Sequence, residues 1–484
     1  AHDHAAEARR HDADAQRLRA DALQRFDEGE GLLPGGAREH SWEQAEVAWT
    51  RALEVSAIAG AGYARANSAF EAALFIDPSR GDVRDELAGL LATRLALAER
   101  LYQRELTGEL AERLSGLLAT GAAASLRSAA QAVLSVRRAP PDAAIAIARF
   151  DADAAGRLRL GPASPLADGD AQLAPGSYLV TGSAPGRAAL RLPLVLARGE
   201  RRAVELSLPP ASAIPPDFVL VPAGESLIGS NEENLRVALA VSPMHPVRFD
   251  AFLIGRHEVT FAEYIAWLDT LPPAERDRRT PRNRTRPGAI DLTLGADHRW
   301  TLLLQPASAE YTAAWGEPIR YPGRTQRAVQ DWRRFPVTGI SFEDAQAFTR
   351  WLAQSARLPG ARLCRELEWE RAARGADGRI HATGRQLSPT EANFDLTYGG
   401  TDLAFGPDEV GSHPESASVF GLEDLQGNAE ELVTTGRWNA EAALRGGSWY
   451  RDQISQRLDN RFRMGTTTRN VEMGFRVCAD AVFK

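Results

Sequence analysis

Two cysteines in 484 residues exclude a disulfide scaffold and a four-thiolate metal site; Cys364 and Cys478 can form one bridge at most. Long apolar runs are missing as well. None approaches the roughly 18 uninterrupted residues that a membrane-spanning helix requires, which excludes such a span from this sequence. Basic charge is not in excess: Lys and Arg total 57 against 64 Asp and Glu, a net charge of -7. Without a large positive field there is nothing to draw a phosphate backbone, so no nucleic acid partner is expected. No glycine-rich phosphate loop followed by kinase catalytic words occurs, which excludes phosphoryl transfer by that route. The sequence opens on Ala1 with no targeting pattern, and any anchor or signal is expected upstream of it.

What is present divides into three parts and a linker. Residues 1–132 are rich in Ala, Leu, Arg and Glu, which predicts stacked helices. To about Glu28 they read as a solvated stalk, with Arg9, Asp12, Asp14, Arg17, Asp21 and Arg25 interleaved around a thin seam of Ala8, Leu18 and Leu23. Ser41 with Gln44 forms a capping box that predicts a helix start, burying Ala45, Ala48, Trp49 and Leu53. A second helix is predicted to end in Phe70 to Leu74, before Asp77 and Pro78, an ending similar to that of a tetratricopeptide repeat. TPR-like helical hairpins are therefore expected, acting as a spacer or as a surface for a protein partner.

Near Val133 the apolar period changes from helical to alternating. Ile145 and Ile147, Tyr178 and Val180, Leu190 through Leu196, and Val204 through Leu208 predict strands with one buried face. Pro175-Gly176 and Pro185-Gly186 mark turns. Through Leu173 to Tyr178, residues 133–210 resemble the small PEGA-type β-sandwich spacers of bacterial surface proteins. Pro209, Pro210, Pro215 and Pro216 predict a stiff linker around 211–217.

Beyond it, short words follow in order over 218–484. Phe218 to Gly224 leads to Ile228-Gly229-Ser230, Glu258-Val259-Thr260 and Pro336-Val337; next come Glu368-Trp369-Glu370 and Gly427-Asn428, then Arg445 to Trp449 and Gly474 to Val477. Together they resemble the formylglycine-generating enzyme, or sulfatase-modifying factor, family, whose fold is a variant C-type-lectin-like domain. The chain is thus expected to be multidomain α+β. Ser341 with Asp344 predicts a helix turning Ala345, Phe348 and Leu352 inward, and residues 362–374 a second one closed by Gly375. Trp369 and Trp449 read as core, and Arg374, Arg445 and Arg476 as partners of Glu366, Glu368 or Glu370.

The resemblance implies oxidation of a substrate cysteine by copper on two thiolates, three and eight residues after the serine of Gly-Gly-Ser; here Arg451 and Gln456 hold those positions. Neither replaces a soft thiolate for Cu(I). Related sulfoxide synthases hold iron with His-x3-His-x-Glu, a spacing that none of the nine histidines forms. Copper and iron are therefore not expected, and no catalytic residue is assigned; the alternative is a metal-dependent oxidoreductase with altered ligands.

Other properties carry over from the family by position. Calcium is expected at Asp424, Gly427, Ala429 and Glu431. A second calcium site falls on Asn393 and Phe394, with Phe405 in place but Leu403 where an acid is needed and Asp402 one position away. Family members tie the regions of Cys364 and Cys478 by a disulfide; two separate thiols are the alternative. The segment after Gly-Gly-Ser implies a ligand groove of Trp449, Tyr450, Arg451, Gln456, Arg461 and Arg463, suited to a polar small molecule, peptide or protein. The domain order resembles the C-terminal extracytoplasmic region of bacterial serine/threonine kinases. A non-catalytic ligand-binding or sensor region, periplasmic or on the cell surface, is the resulting expectation.

Overall fold

Small residues set the first layer. Helix α1 (His2–Glu30) buries Ala5, Ala8, Asp12, Ala15, Ala22, Phe26 and Gly29 at three- and four-residue spacing along α2 (Gly36–Ile76). The pair runs antiparallel, with Gly29 against Ser41 and Gly62 against Ala8, where a Cβ on Gly62 would stand 2.9 Å from that of Ala8. The first helix is therefore not a solvated stalk. Nor does a helix begin at Ser41: α2 is one helix of 41 residues. Ser41 lies inside it and donates its hydroxyl to the Arg25 carbonyl at 3.3 Å, and no proline between 41 and 70 stops the chain. One long helix stands where two repeat helices were expected. Helices α3 (Gly81–Arg100) and α4 (Arg104–Ala119) complete the layer. The computed structural model describes residues 1–30, 36–119, 131–167, 169–285, 287–355, 357–435 and 441–481.

The alternating segment forms two small sheets. Ala132–Ala139 lies between Gly169–Leu173 and Arg201–Ser207, parallel to the latter. Leu158–Leu160, Ala144–Ala152, Gly176–Ser183 and Leu190–Leu196 form the other. Their inward faces share one apolar cluster with the C-terminal domain. Ion pairs of Arg157 with Glu391 and of Arg202 with Glu225, and a bond from Ser177 Oγ to Asp377, cross the same boundary. This β-module is part of the packed body rather than a detached spacer.

In the C-terminal domain, a sheet of Ala361–Leu363, Val477–Asp480, Phe252–Gly255 and Phe218–Val221 brings the start and end of the domain together. Around it lie α5 (Glu233–Leu239), α6 (Phe261–Leu268), α7 (Pro273–Arg279), α8 (Phe342–Gln354) and α9 (Glu366–Arg374). Ser341 and Asp344 cap α8 reciprocally, as expected. The helix predicted from 362 starts only at Glu366, because residues 361–363 pair as a strand. A second sheet, Phe462–Met464, Glu441–Arg445, Glu430–Thr435 and Met473–Gly474, carries the candidate site. Cys364 and Cys478 are joined by a disulfide.

Candidate functional site

The strand Glu430–Thr435 leaves the Gly427-Asn428 turn with consecutive carboxylates on opposite faces, as a two-residue period dictates. Glu431 points inward. Arg476 meets both its oxygens at 2.6 Å, and Trp369 Nε1 donates to Oε2 at 2.7 Å. Glu430 points to the segment after Gly-Gly-Ser, where the Arg451 guanidinium lies 3.2 Å from Glu430 and 2.9 Å from Glu472. Ser448 Oγ donates to Glu472 at 2.9 Å. Glu430 Oε2 is buried and has no hydrogen-bond partner. Burial first, with the neighbouring Glu472 charge adding and Arg451 opposing, pushes the Glu430 carboxyl up to about 7.

The two positions expected to carry thiolates are thus an ion-paired guanidinium and an amide. The amide of Gln456 is fully buried and donates to the Ser448, Arg451 and Asp452 carbonyls at 3.1–3.3 Å. It lies over Gly447, whose φ of +71° and lack of a side chain make room: a Cβ there would be 2.3 Å from Gln456 Oε1. This donor set does not fit Cu(I), and both cysteines are consumed in the disulfide.

The expected groove is only partly assembled. Tyr450 is half exposed beside Arg451, with the Phe405 ring 5.3 Å away. Trp449 is buried beneath them, and Gln456 is structural. Arg461 is also buried, 3.0 Å from Glu30 of α1 and 2.9 Å from Glu366, so it fastens the helical layer instead of facing ligand. Arg463 lies exposed on the neighbouring strand. Among the other arginines, Arg374 and Arg445 pair with Glu370 as expected, whereas Arg476 takes Glu431.

The calcium positions divide. Glu431 of the first set is committed to Arg476 and Trp369, while Asp424 accepts from the Gly411 backbone. Glu258 supplies what Glu431 lacks: it is fully buried, neither carboxylate oxygen has a partner, and burial with the Asp424 charge raises it well above the usual carboxylate range. Among the described residues no three acidic, histidine or cysteine side chains converge as a metal site, so a cation here needs backbone carbonyls such as those of Gly427 and Ala429. Orphaned carboxylate oxygens in excess of cations suit such an ion.

The second set does not fit. Leu403 and Asp402 are exposed, and the buried guanidinium of Arg324 donates to the carbonyls of Ala404 and Gly406 at 2.7 and 2.6 Å. The Asn393 amide reaches that same Gly406 carbonyl at 3.0 Å. Arg324 is paired with Asp408 at 2.6 Å and flanked by the Tyr321 and Tyr398 rings. The chain's own cation organises the loop that includes Asn393 and Phe394. Glu258, Arg324, Glu430 and Glu472 were missed in the sequence because their importance arises from residues far along the chain. The one local signal was the adjacent acid pair on a strand.

Comparison with known proteins identifies the family. The profile of the sulfatase-modifying factor enzyme 1-like domain matches residues 206–481, more than half of the chain. The formylglycine-generating enzyme of Mycobacterium tuberculosis is 29% identical over 239 residues, 45% of this chain and 74% of that protein. Inactive C-alpha-formylglycine-generating enzyme 2 of Bos taurus is 29% identical over 187 residues, covering 34% of this chain and 59% of its own length. Hercynine oxygenase of Mycolicibacterium smegmatis is 29% identical over 259 residues, 52% and 51% of the two chains. Among solved structures, PvdO from Pseudomonas aeruginosa aligns with 54% of this chain and 94% of its own at 22% identity, with a TM-score of 0.37. With its ordered words and its profile match, the chain belongs to the sulfatase-modifying factor, or formylglycine-generating enzyme, family.

Proposed function

We propose that the family domain of this chain is non-catalytic and binds a ligand, and that the chain serves as a sensor region. The carrying observation is Arg451, held by Glu430 and Glu472 at a position where the family chemistry needs a thiolate. A guanidinium braced in this way stays charged and orients toward polar or acidic groups. Glu430, buried behind the guanidinium, holds Arg451 in place. Tyr450 and Phe405 add flat apolar contact. The ligand is a small polar molecule or a peptide segment seated on this face.

Calcium belongs to the same reading as a structural ion. Asp424 and Glu258 supply hard oxygens, with the carbonyls of Gly427 and Ala429. In a melting assay, added calcium should raise Tm and EDTA should reverse it; Glu258→Gln should abolish the response. The Cys364–Cys478 bridge supports an oxidising compartment, hence the periplasm or cell surface. The domain order supports a signalling protein such as a serine/threonine kinase as the context. No helix among the described residues is long and apolar enough to cross a membrane.

Metal analysis and thermal shift test the central reading together. Purified protein should hold no stoichiometric copper or iron and should leave a thiol peptide unoxidised. A ligand from a polar library should raise Tm saturably, and Arg451→Ala should remove that shift. Stoichiometric redox metal with oxygen consumption would instead establish an oxidoreductase with altered ligands.

A further inference from the structure

The helical layer does not close on the C-terminal domain everywhere. Between them is a cleft of about 540 Å³, a volume within the roughly 300–1,000 Å³ of small-molecule sites. Ala57, Ala61 and Ala98 give it an apolar floor, Trp49 and Tyr102 give it aromatic walls, and Asn231 and Met244 come from the domain side.

Two guanidinium groups line this space outside any ion pair among the described residues, and one carboxylate, that of Glu233, lines it with them. Arg19 lies 4.7 Å from the Trp49 ring centre and 5.8 Å from that of Tyr102, and donates to the Met244 carbonyl at 3.0 Å. Arg94 lines the same cleft. The carboxylates around them are committed elsewhere: Glu233 to Trp49 and Arg236, Asp12 to Arg100, and Glu71 and Glu109 to Arg113. Burial lowers the pKa of both arginines, and it outweighs the opposing pull of Tyr102 and Glu233 on Arg19 and of Glu109 and Glu71 on Arg94.

The wall residue Tyr102 is held in an unusual way. It closes α3 with φ of +54°, its amide bonded to the Glu99 carbonyl at 3.1 Å and the Gln103 amide to that of Ala98 at 2.9 Å. Glycine is the usual residue at such a helix end, because a side chain is strained there. The tyrosine places its ring over the cleft, beside Arg19.

We propose that this cleft binds a small organic anion, a carboxylate or phosphate on an aromatic or aliphatic body. Arg94 takes the acid group, with Arg19 as a second cation on the lining; Trp49, Tyr102 and the alanine floor take the body. This site is separate from the Arg451 face and does not depend on it. Because its walls come from both layers, an occupant stabilises their docked arrangement by linkage.

Calorimetric titration of the full chain tests this, with 2-naphthoate, octanoate and phenyl phosphate as probes and neutral 2-naphthylmethanol as the uncharged comparison. At least one anion should bind saturably with one site per chain, and at least tenfold more tightly than the alcohol. Arg94→Gln should weaken binding tenfold or more, and Ala57→Leu, which fills the floor from an exposed position, should abolish it; unliganded melting verifies that both fold. The proposal is overturned if no anion binds, if the alcohol binds as well as the acids, or if Arg94→Gln or Ala57→Leu retains full affinity. Loss of binding in Arg451→Ala would put the anion on the other face and overturn it equally.

Discussion

Glu430 and Glu431 are consecutive residues of the same type on one strand, yet their surroundings have opposite characters. Glu431 lies on the inner side with a bidentate guanidinium and the indole donor of Trp369, whose ring shares one apolar cluster with the disulfide. Glu430 lies on the outer side with a second carboxylate, a partly exposed guanidinium and one oxygen unsatisfied. On the inner side, Glu431 has a partner at each oxygen and serves as frame, although the neighbouring Glu258 has none. On the outer side, two buried carboxylates share one guanidinium, and it is the partly exposed Arg451 that solvent and ligand can reach. The contrast teaches where this chain is rigid and where it has left chemistry open.

If that division is right, breaking the frame costs more than altering the face. The largest effect should come from replacing both Cys364 and Cys478 with alanine. That opens a loop spanning 114 residues and should cost about 4–5 kcal/mol in urea denaturation. Arg476→Met should follow, at about 3–5 kcal/mol, since it strands Glu431 in the interior without its cation. A loss below about 1 kcal/mol in either variant would erase the distinction between frame and face.

Glu430→Gln probes the other side of the strand through pH. Glu430 binds its proton at about 7 in the folded chain, against an ordinary 4.5. Between those values the folded state holds a proton that the unfolded state has released, so wild-type stability falls as pH rises through this window and levels off above it. The glutamine variant lacks that slope. It should be the more stable protein at pH 8, by up to about 3 kcal/mol at roughly 1.4 kcal/mol per unit, with the two curves converging toward pH 4.5. Denaturation midpoints at intervals across this range decide the matter, and parallel curves would remove Glu430 from the account.

Parts of this arrangement are legible in the sequence. The reciprocal cap at Ser341 and Asp344, the strand alternation after Val133 and the glycine pair after Arg445 are local signals, and each appears in the structure. Features set by long-range pairing are not. Arg461 reads as a groove cation until α1 arrives with Glu30, 431 residues earlier. Arg324 has no special context in sequence, and only folding brings it to Asp408 and the Gly406 carbonyl. Ser41 shows the reverse error: a good local cap was overridden because α1 offered its hydroxyl a carbonyl and nothing nearby interrupted the helix.

Arg451→Ala should have the smallest effect on stability and the clearest effect on binding. The side chain is 41% exposed, so solvent screens its attraction to the two carboxylates, and the loss should be about 1 kcal/mol or less. Removing the guanidinium takes away what opposes the rise of the Glu430 pKa, so Glu430 should titrate higher still. The pH range over which stability falls would then extend upward beyond that of wild type. Adding Glu430→Gln to Arg451→Ala should flatten this dependence again, a coupling that independent residues would not show. A cost in Arg451→Ala equal to that of Arg476→Met would mean that the outer arginine is as much a part of the frame as the inner one.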